Sequence, residues 1–202
     1  MSPLPAQRDD RRLAALLDAA VSVFARFGFR KASMDDVARA AGVSRQGLYL
    51  VFSTKEELFR RALEHSLGNQ LSAAIASLAR AEDDLESRLI AACMEWSGRF
   101  VGSLGSDASD LMCASTALAG ATLARYEAQF EAALASAISA SPLAATCAAA
   151  DLDPRDLARS LHAAARGLKE ISKTPQEFAA GATAVVRMVC LPLKPRSKPR
   201  RL

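Results

Sequence analysis

Two histidines, His65 and His162, and four cysteines, Cys93, Cys113, Cys147 and Cys190, are the groups best suited to metal or nucleophile chemistry. Their spacing supports neither. The cysteines form no CxxC pair and no Cys/His cluster of the kind zinc needs, and buried reduced thiols are expected. No Gly-rich phosphate loop, nucleophile elbow or metal-ligand spacing occurs, so no catalytic residue, metal site or cofactor is expected. The polar side chains that remain lie close together: Ser44, Arg45, Gln46, Gly47 and Tyr49, then Lys55. An arginine fork fits O6 and N7 of guanine, and a glutamine amide fits N6 and N7 of adenine. Tyrosine and lysine donate to phosphates. This is nucleic-acid chemistry, with plainer alternatives at each position: a phosphate contact for Arg45, and simple solvation for Gln46 and Lys55.

The elements that would position these residues are legible around them. In "SMDDVARAAGVSRQGLYLVFSTKEEL", residues 33–58, Ser33 reads as a helix N-cap with Asp36 as its capping-box partner. Met34, Val37, Ala38 and Ala41 give that helix an inner face. Gly42 ends it, because glycine tolerates the left-handed conformation of a sharp turn. Ser44 caps the next helix, in which Leu48 and Phe52 are expected core. Thr54-x-x-Glu57 opens another. Two short helices joined by a tight glycine turn make a helix-turn-helix, whose second helix enters the major groove. The helix N-termini at Ser33 and Thr54 would flank it and offer N–H groups to phosphates. Lys55, in a first turn where the helix dipole disfavours a cation, is explained by a phosphate partner. Upstream, Leu13, Leu16, Leu17, Ala20, Val21 and Phe24 form an apolar stripe that Gly28 stops. Downstream, Leu58, Phe59, Ala62, Leu63, Leu67, Leu71, Ile75 and Leu78 extend one long helix. Arg8, Arg11 and Arg12 suit a basic arm or a solubilising end.

These motifs bear a strong likeness to a known family. "LLDAAVSVFARFGFRKASMDDVARAAGVS", then "LY", then Phe52-Ser53-Thr54-Lys55-Glu56-Glu57-Leu58, resembles the DNA-binding domain of the TetR family of bacterial transcriptional regulators over residues 13–63. The resemblance implies a repressor that binds a double-stranded DNA operator, with Tyr49 on a backbone phosphate. It also implies a C-terminal domain that dimerises and binds a small-molecule effector. Three positions depart from the family pattern. A small hydroxyl residue is usual at position 47, and an aromatic followed by histidine where Leu50 and Val51 stand.

The rest of the chain is helical by composition and periodicity, which predicts an all-α fold. The expected organisation is an N-terminal arm over 1–9, a helix-turn-helix domain over 10–56, a helical effector and dimerisation domain over 57–190, and a basic tail over 191–202. Residues 1–60 carry ten Lys/Arg and seven Asp/Glu, residues 61–190 carry 11 and 15, and residues 191–202 carry five and none. Basic ends flank an acidic middle, as in a chain that meets a polyanion through one region only. Trp96, Phe100, Met112, Tyr126 and Phe130 are candidates for a largely apolar effector pocket, with His162 and Arg166 to orient a polar group. Leu161, Ala164, Ala165, Leu168, Ala182, Val185 and Val189 are candidates for a homodimer interface built from two helices of each chain. Core packing is the alternative for both sets. No apolar run is long enough to span a membrane and the N-terminus lacks an apolar signal core, so a cytoplasmic protein without a membrane partner is expected.

Overall fold

The computed structural model describes residues 5–102 and 108–191. Among them are nine α-helices, one π-helical turn and no strand. Contacts group Met1–Gln70 with Ser103–Tyr126, and Leu71–Gly102 with Glu127–Leu202. This differs from a single boundary at residue 57, because two long helices, α4 (Lys55–Leu78) and α6 (Ala108–Ser139), each contribute to both units. Residues 1–4 of the expected arm, 103–106 of the expected loop and 192–202 of the expected tail lie outside the described residues. Helix α1 (Pro5–Lys31) already begins at Pro5, so residues 5–9 are helical.

In the first unit, α1 buries Leu16, Leu17, Ala20, Val23 and Phe24. Its ladder is broken at Gly28, whose φ of 74° and ψ of 173° suit glycine alone. Helix α2 (Met34–Ala41) is held at its start by the expected capping box. The Ser33 hydroxyl accepts from Asp36 N–H at 3.2 Å, and Asp36 Oδ2 accepts from Ser33 N–H at 3.1 Å. Gly42 ends it in the left-handed region, φ 66°, and Val43 N–H returns to the Ala38 carbonyl at 3.0 Å. Helix α3 (Arg45–Val51) follows at once, with Ser44 Oγ accepting from Gly47 N–H at 3.0 Å. Met34, Val37, Ala38, Leu48, Phe52, Leu58, Phe59 and Ala62 close the core with α1. Phe59 meets Phe24 edge-on at 5.0 Å and Phe29 at 5.1 Å. Such pairs each contribute about 0.5–1.5 kcal/mol beyond the area they bury.

The second unit is built from α5 (Leu85–Cys93), α7 (Leu143–Ala149), α8 (Pro154–Ile171), α9 (Pro175–Cys190) and the C-terminal parts of α4 and α6. Its starts follow local chemistry. Asp84 accepts from Ser87 N–H, Asp153 precedes a first-turn proline, and Thr174 pairs with Glu177 as cap and partner. The Ala-rich stretch after Pro142 is helical as α7. Helix α6 runs on through a break at Ala119 (φ −145°) beside Gly120. Past α5, Met94–Gly98 widen into a π turn that buries Trp96, Ser97 and Gly98 together. Three consecutive inward residues exceed what one face of an α-helix offers, and the extra residue in the turn supplies the shift. On α4 the expected inner residue Ile75 is 46% exposed, while Ala74 and Ser77 are buried. No single helix among the described residues is long and apolar enough to cross a membrane.

Candidate nucleic-acid interface

Leu48 fixes the orientation of α3. It is fully buried, and at about 100° per residue Gln46 and Leu50 then stand about 160° and 200° away, on the outermost line of the helix. Gly47 lies beside Leu50 on the same side. Arg45, Gln46, Tyr49 and Leu50 are all exposed, Leu50 to 82%. Packing and turn geometry thus leave the sequence-predicted Arg45, Gln46 and Tyr49 exposed, while Gly47 is half-buried between them and the core.

Arg45 does not hang free. Its Nη1 meets Asp35 Oδ2 at 2.9 Å, and its guanidinium lies 5.6 Å from the Tyr49 ring centroid. The side chains of both ion partners are about half exposed or more, so the pair contributes only about 0–1 kcal/mol. It orients the arginine fork and leaves most of its five N–H donors available. The other carboxylate oxygen, Asp35 Oδ1, is buried without a hydrogen-bond partner. Asp35 is a site residue that sequence reading missed. Ten residues separate it from Arg45, and only the turn at Gly42 brings them together.

The Ser33 hydroxyl both accepts from Asp36 N–H and donates to the Asp36 carboxylate, whereas the Ser44 hydroxyl accepts from Gly47 N–H and keeps its own proton to donate. The Ser33 hydroxyl, and then the Ser33 N–H, hold the Asp36 carboxyl below its ordinary value, aided by Arg39.

Lys55 turns inward. Its ammonium donates to the carbonyls of Phe29 at 3.0 Å, Arg30 at 3.3 Å and Ala32 at 3.1 Å, and stands 4.6 Å from the Phe29 ring centroid. Those carbonyls lie just past the break at Gly28. The N–H of Arg30 is taken up by Asp110 Oδ2 at 2.8 Å, while Arg30 Nε meets Asp110 Oδ1 at 2.8 Å. This bonding, the Arg30 N–H first, holds the Asp110 carboxyl below its ordinary value. Lys55, expected on a phosphate or in solvent, here braces the end of α1. The reason is reach, since a four-carbon stem carries the charge to unsatisfied helix-end carbonyls.

The expected effector residues separate. Met112, 58% exposed, and Tyr126 belong to the first unit. In the second, Trp96, Phe130 and His162 do meet, but as a packed core. Trp96 stacks on Phe130 at 5.0 Å, and His162 meets the Phe130 ring edge-on at 5.4 Å. Trp96 Nε1–H donates to His162 Nε2 at 3.2 Å, which makes that nitrogen the acceptor and leaves Nδ1–H to donate to Glu131 Oε1 at 2.9 Å. Phe100 is half-buried. Arg166 is exposed and pairs with Glu127 at 3.5 Å rather than with Glu170. An open groove of about 700 Å³ lies alongside, lined by Glu131, Asp153, Arg155, Arg159 and small residues of α6. Of the expected interface residues, Leu161, Ala165 and Ala182 are core, 2% exposed each, and Ala164, Leu168, Val185 and Val189 are half-buried. The apolar surface of these helices runs instead through Ala163, Gly167 and Ile171 on α8, and through Ala184, Met188 and Leu191 near α9. Three cysteines are buried, and burial pushes the Cys93 thiol up to about 12. Cys113 is exposed, contrary to expectation. No group of three or more His, Cys, Asp or Glu able to hold a metal occurs among the described residues.

An all-helical chain whose third helix presents Arg45, Gln46 and Tyr49 outward across a glycine turn is a helix-turn-helix protein. Residues 16–62 match the family model of bacterial regulatory proteins of the tetR family. The HTH-type transcriptional regulator YfiR of Bacillus subtilis is 46% identical over 72 residues, 35% of this chain and 35% of that protein. The HTH-type transcriptional activator FasR of Mycolicibacterium smegmatis is 42% identical over 85 residues, 42% of this chain and 38% of that protein. The match thus spans little more than a third of these relatives. Solved structures extend the likeness of fold to nearly the whole chain. The TetR transcriptional regulator SCO0520 from Streptomyces coelicolor aligns with a TM-score of 0.61 at 24% identity over 91% of this chain and 98% of that one. E. coli NemR in its reduced form aligns with a TM-score of 0.65 at 17% identity over 87% and 95%.

Proposed function

We propose that this protein is a transcriptional regulator that binds a pseudo-palindromic DNA operator as a homodimer, most simply as a repressor released by a small-molecule effector, in the cytoplasm where its DNA lies. The observation that carries the DNA-binding part is the outward face of α3. Arg45, Gln46 and Tyr49 stand in solvent while Leu48 anchors the helix in the core. In this reading Arg45 reads a guanine edge, Gln46 an adenine edge, and Tyr49 a phosphate. Backbone N–H groups near Ser33, Ser44 and Thr54 take further phosphates. Dimerisation is supported by the exposed apolar stripes along α8 and α9, which suit a helix bundle shared with a second copy.

Selection of bound duplexes from a random pool tests this reading, followed by Arg45→Ala on the selected site. The variant should lose about 1–3 kcal/mol of discrimination between matched and scrambled duplexes, the value of a bidentate guanine contact. Equal loss on both duplexes would remove Arg45 as the reader.

A second reading is favoured by one observation, the closed packing of Trp96, Phe130 and His162 where an apolar pocket is expected. In it the chain is an architectural or adaptor DNA-binding protein without an effector. Release of the selected duplex by a fraction of a metabolite pool favours the first reading, and persistence of the complex through every fraction favours the second.

A further inference from the structure

No backbone strain asks for glycine at position 47; the one steric reason within the chain is the Ser44 hydroxyl that caps the helix. The residue sits inside α3 and is not among the glycines with positive φ. A Cβ built there would meet only Ser44 Oγ, at 3.1 Å. Glycine is nevertheless the poorest helix former after proline, and α3 has only seven residues. Gly47 is half-buried, on the flank of the helix about 60° round from Leu50. Beside it stands Leu50, at 82% the most exposed large apolar side chain among the described residues. Leu50 has no donor for a phosphate and no packing partner to satisfy. In the major groove one apolar group is available to such a side chain, the C5-methyl of thymine.

We propose that Leu50 recognises a thymine methyl group in each operator half-site, and that the bare backbone at Gly47 lets α3 come close enough for that contact. Gln46, one turn before Leu50 on the same outer line, meets the adenine edge of an A·T pair in the same step. Arg45 adds guanine reading from the flank. The proposal rests on the DNA-binding reading above and adds a chemical identity to the base read by Leu50.

The test uses the full-length protein and the selected duplex, with each thymine replaced in turn by deoxyuridine. That replacement removes one methyl and leaves the hydrogen-bonding edge intact. One position per half-site should weaken binding by about fourfold, the effect of one buried methyl group. Leu50→Ala should abolish this sensitivity, binding thymine and deoxyuridine duplexes alike, and its melting temperature should stay that of the parent because the side chain packs against nothing. Gly47→Ala, with helix content checked by circular dichroism, should bind the selected duplex more weakly. The proposal is overturned if every deoxyuridine substitution is neutral, or if Leu50→Ala keeps the parental penalty. Failure to select any duplex would sink the DNA-binding reading as well, whereas a good operator without methyl sensitivity sinks this inference alone. A Leu50→Ala variant that changes the oligomeric mass and leaves methyl sensitivity unaltered would assign the face to a protein contact instead.

Discussion

Lys55 offers the sharpest test, because local sequence and three-dimensional geometry assign it different work. A phosphate anchor would contribute through its charge on DNA. A brace would contribute through the carbonyls of Phe29, Arg30 and Ala32. Lys55→Met keeps an apolar stem beside Phe29 and removes all three donors. A hydrogen bond from a charged donor contributes about 1.5–3 kcal/mol net. Three bonds to one ammonium do not add, and water can reach part of this helix end. Together they should contribute about 2–4 kcal/mol, the worth of one to two such bonds. Urea unfolding followed by circular dichroism should therefore show a clearly lowered midpoint. The single tryptophan, Trp96, lies in the second unit, so its fluorescence separates loss in the first unit from global loss. On the selected duplex, the slope of log affinity against log salt should stay that of the parent. An anchor would instead lower that slope by about one unit with no change in stability. An unchanged urea midpoint together with a reduced slope would refute the brace.

Three further outcomes follow from contacts elsewhere. Gly98→Ala places a methyl 3.0 Å from Cε1 of the fully buried Phe178, an overpacking that should cost about 1–3 kcal/mol in urea titration monitored at Trp96. The folded carboxyls of Asp36 and Asp110 lie below their ordinary values through Ser33 and Arg30 respectively. Their contribution is present above the unfolded carboxylate value and is lost as pH falls through the folded values, so stability should drop below about pH 4, and Asp36→Asn with Asp110→Asn should flatten that acid limb. Met188→Arg with Ile171→Arg, at residues 70% and 74% exposed, should leave the monomer fold intact by circular dichroism and convert a dimer to a monomer by sedimentation. A retained dimer mass would move the interface off these stripes.

Local chemistry was readable in the sequence where a short-range side-chain cap follows a clear spacing. Ser33 with Asp36, and Ser44 with Gly47, cap the helices their positions predict, whereas the Asp84 cap on Ser87 was not read. What was not readable are pairings set by the meeting of distant elements. His162 meets Glu131 from 31 residues away and Trp96 from 66; the sequence left it between a ligand-orienting role and core packing, and only the fold shows that it settles a buried N–H. The same limit applies to the pocket set, because a tryptophan and a phenylalanine on an inner face look alike whether they line a cavity or fill it. Here they stack at 5.0 Å and fill it.

The recognition helix shows how one buried residue resolves an ambiguity of this kind. As a string, Leu48-Tyr49-Leu50-Val51-Phe52 is an apolar run in which any member could be core. Burial of Leu48 and Phe52 sets the phase of α3, and that phase leaves Leu50 and Gln46 furthest from the core with Gly47 between their turns. The three departures from the family pattern then cease to be equivalent. Val51, 51% exposed, stands to one side. Leu50 lies on the outer line, where an aliphatic side chain carries a cost in solvent, and Gly47 lies beside it, half-buried, as the position that lacks a side chain. A surface so arranged is matched to a partner that offers an apolar group at close range, and a major groove bearing thymine offers one.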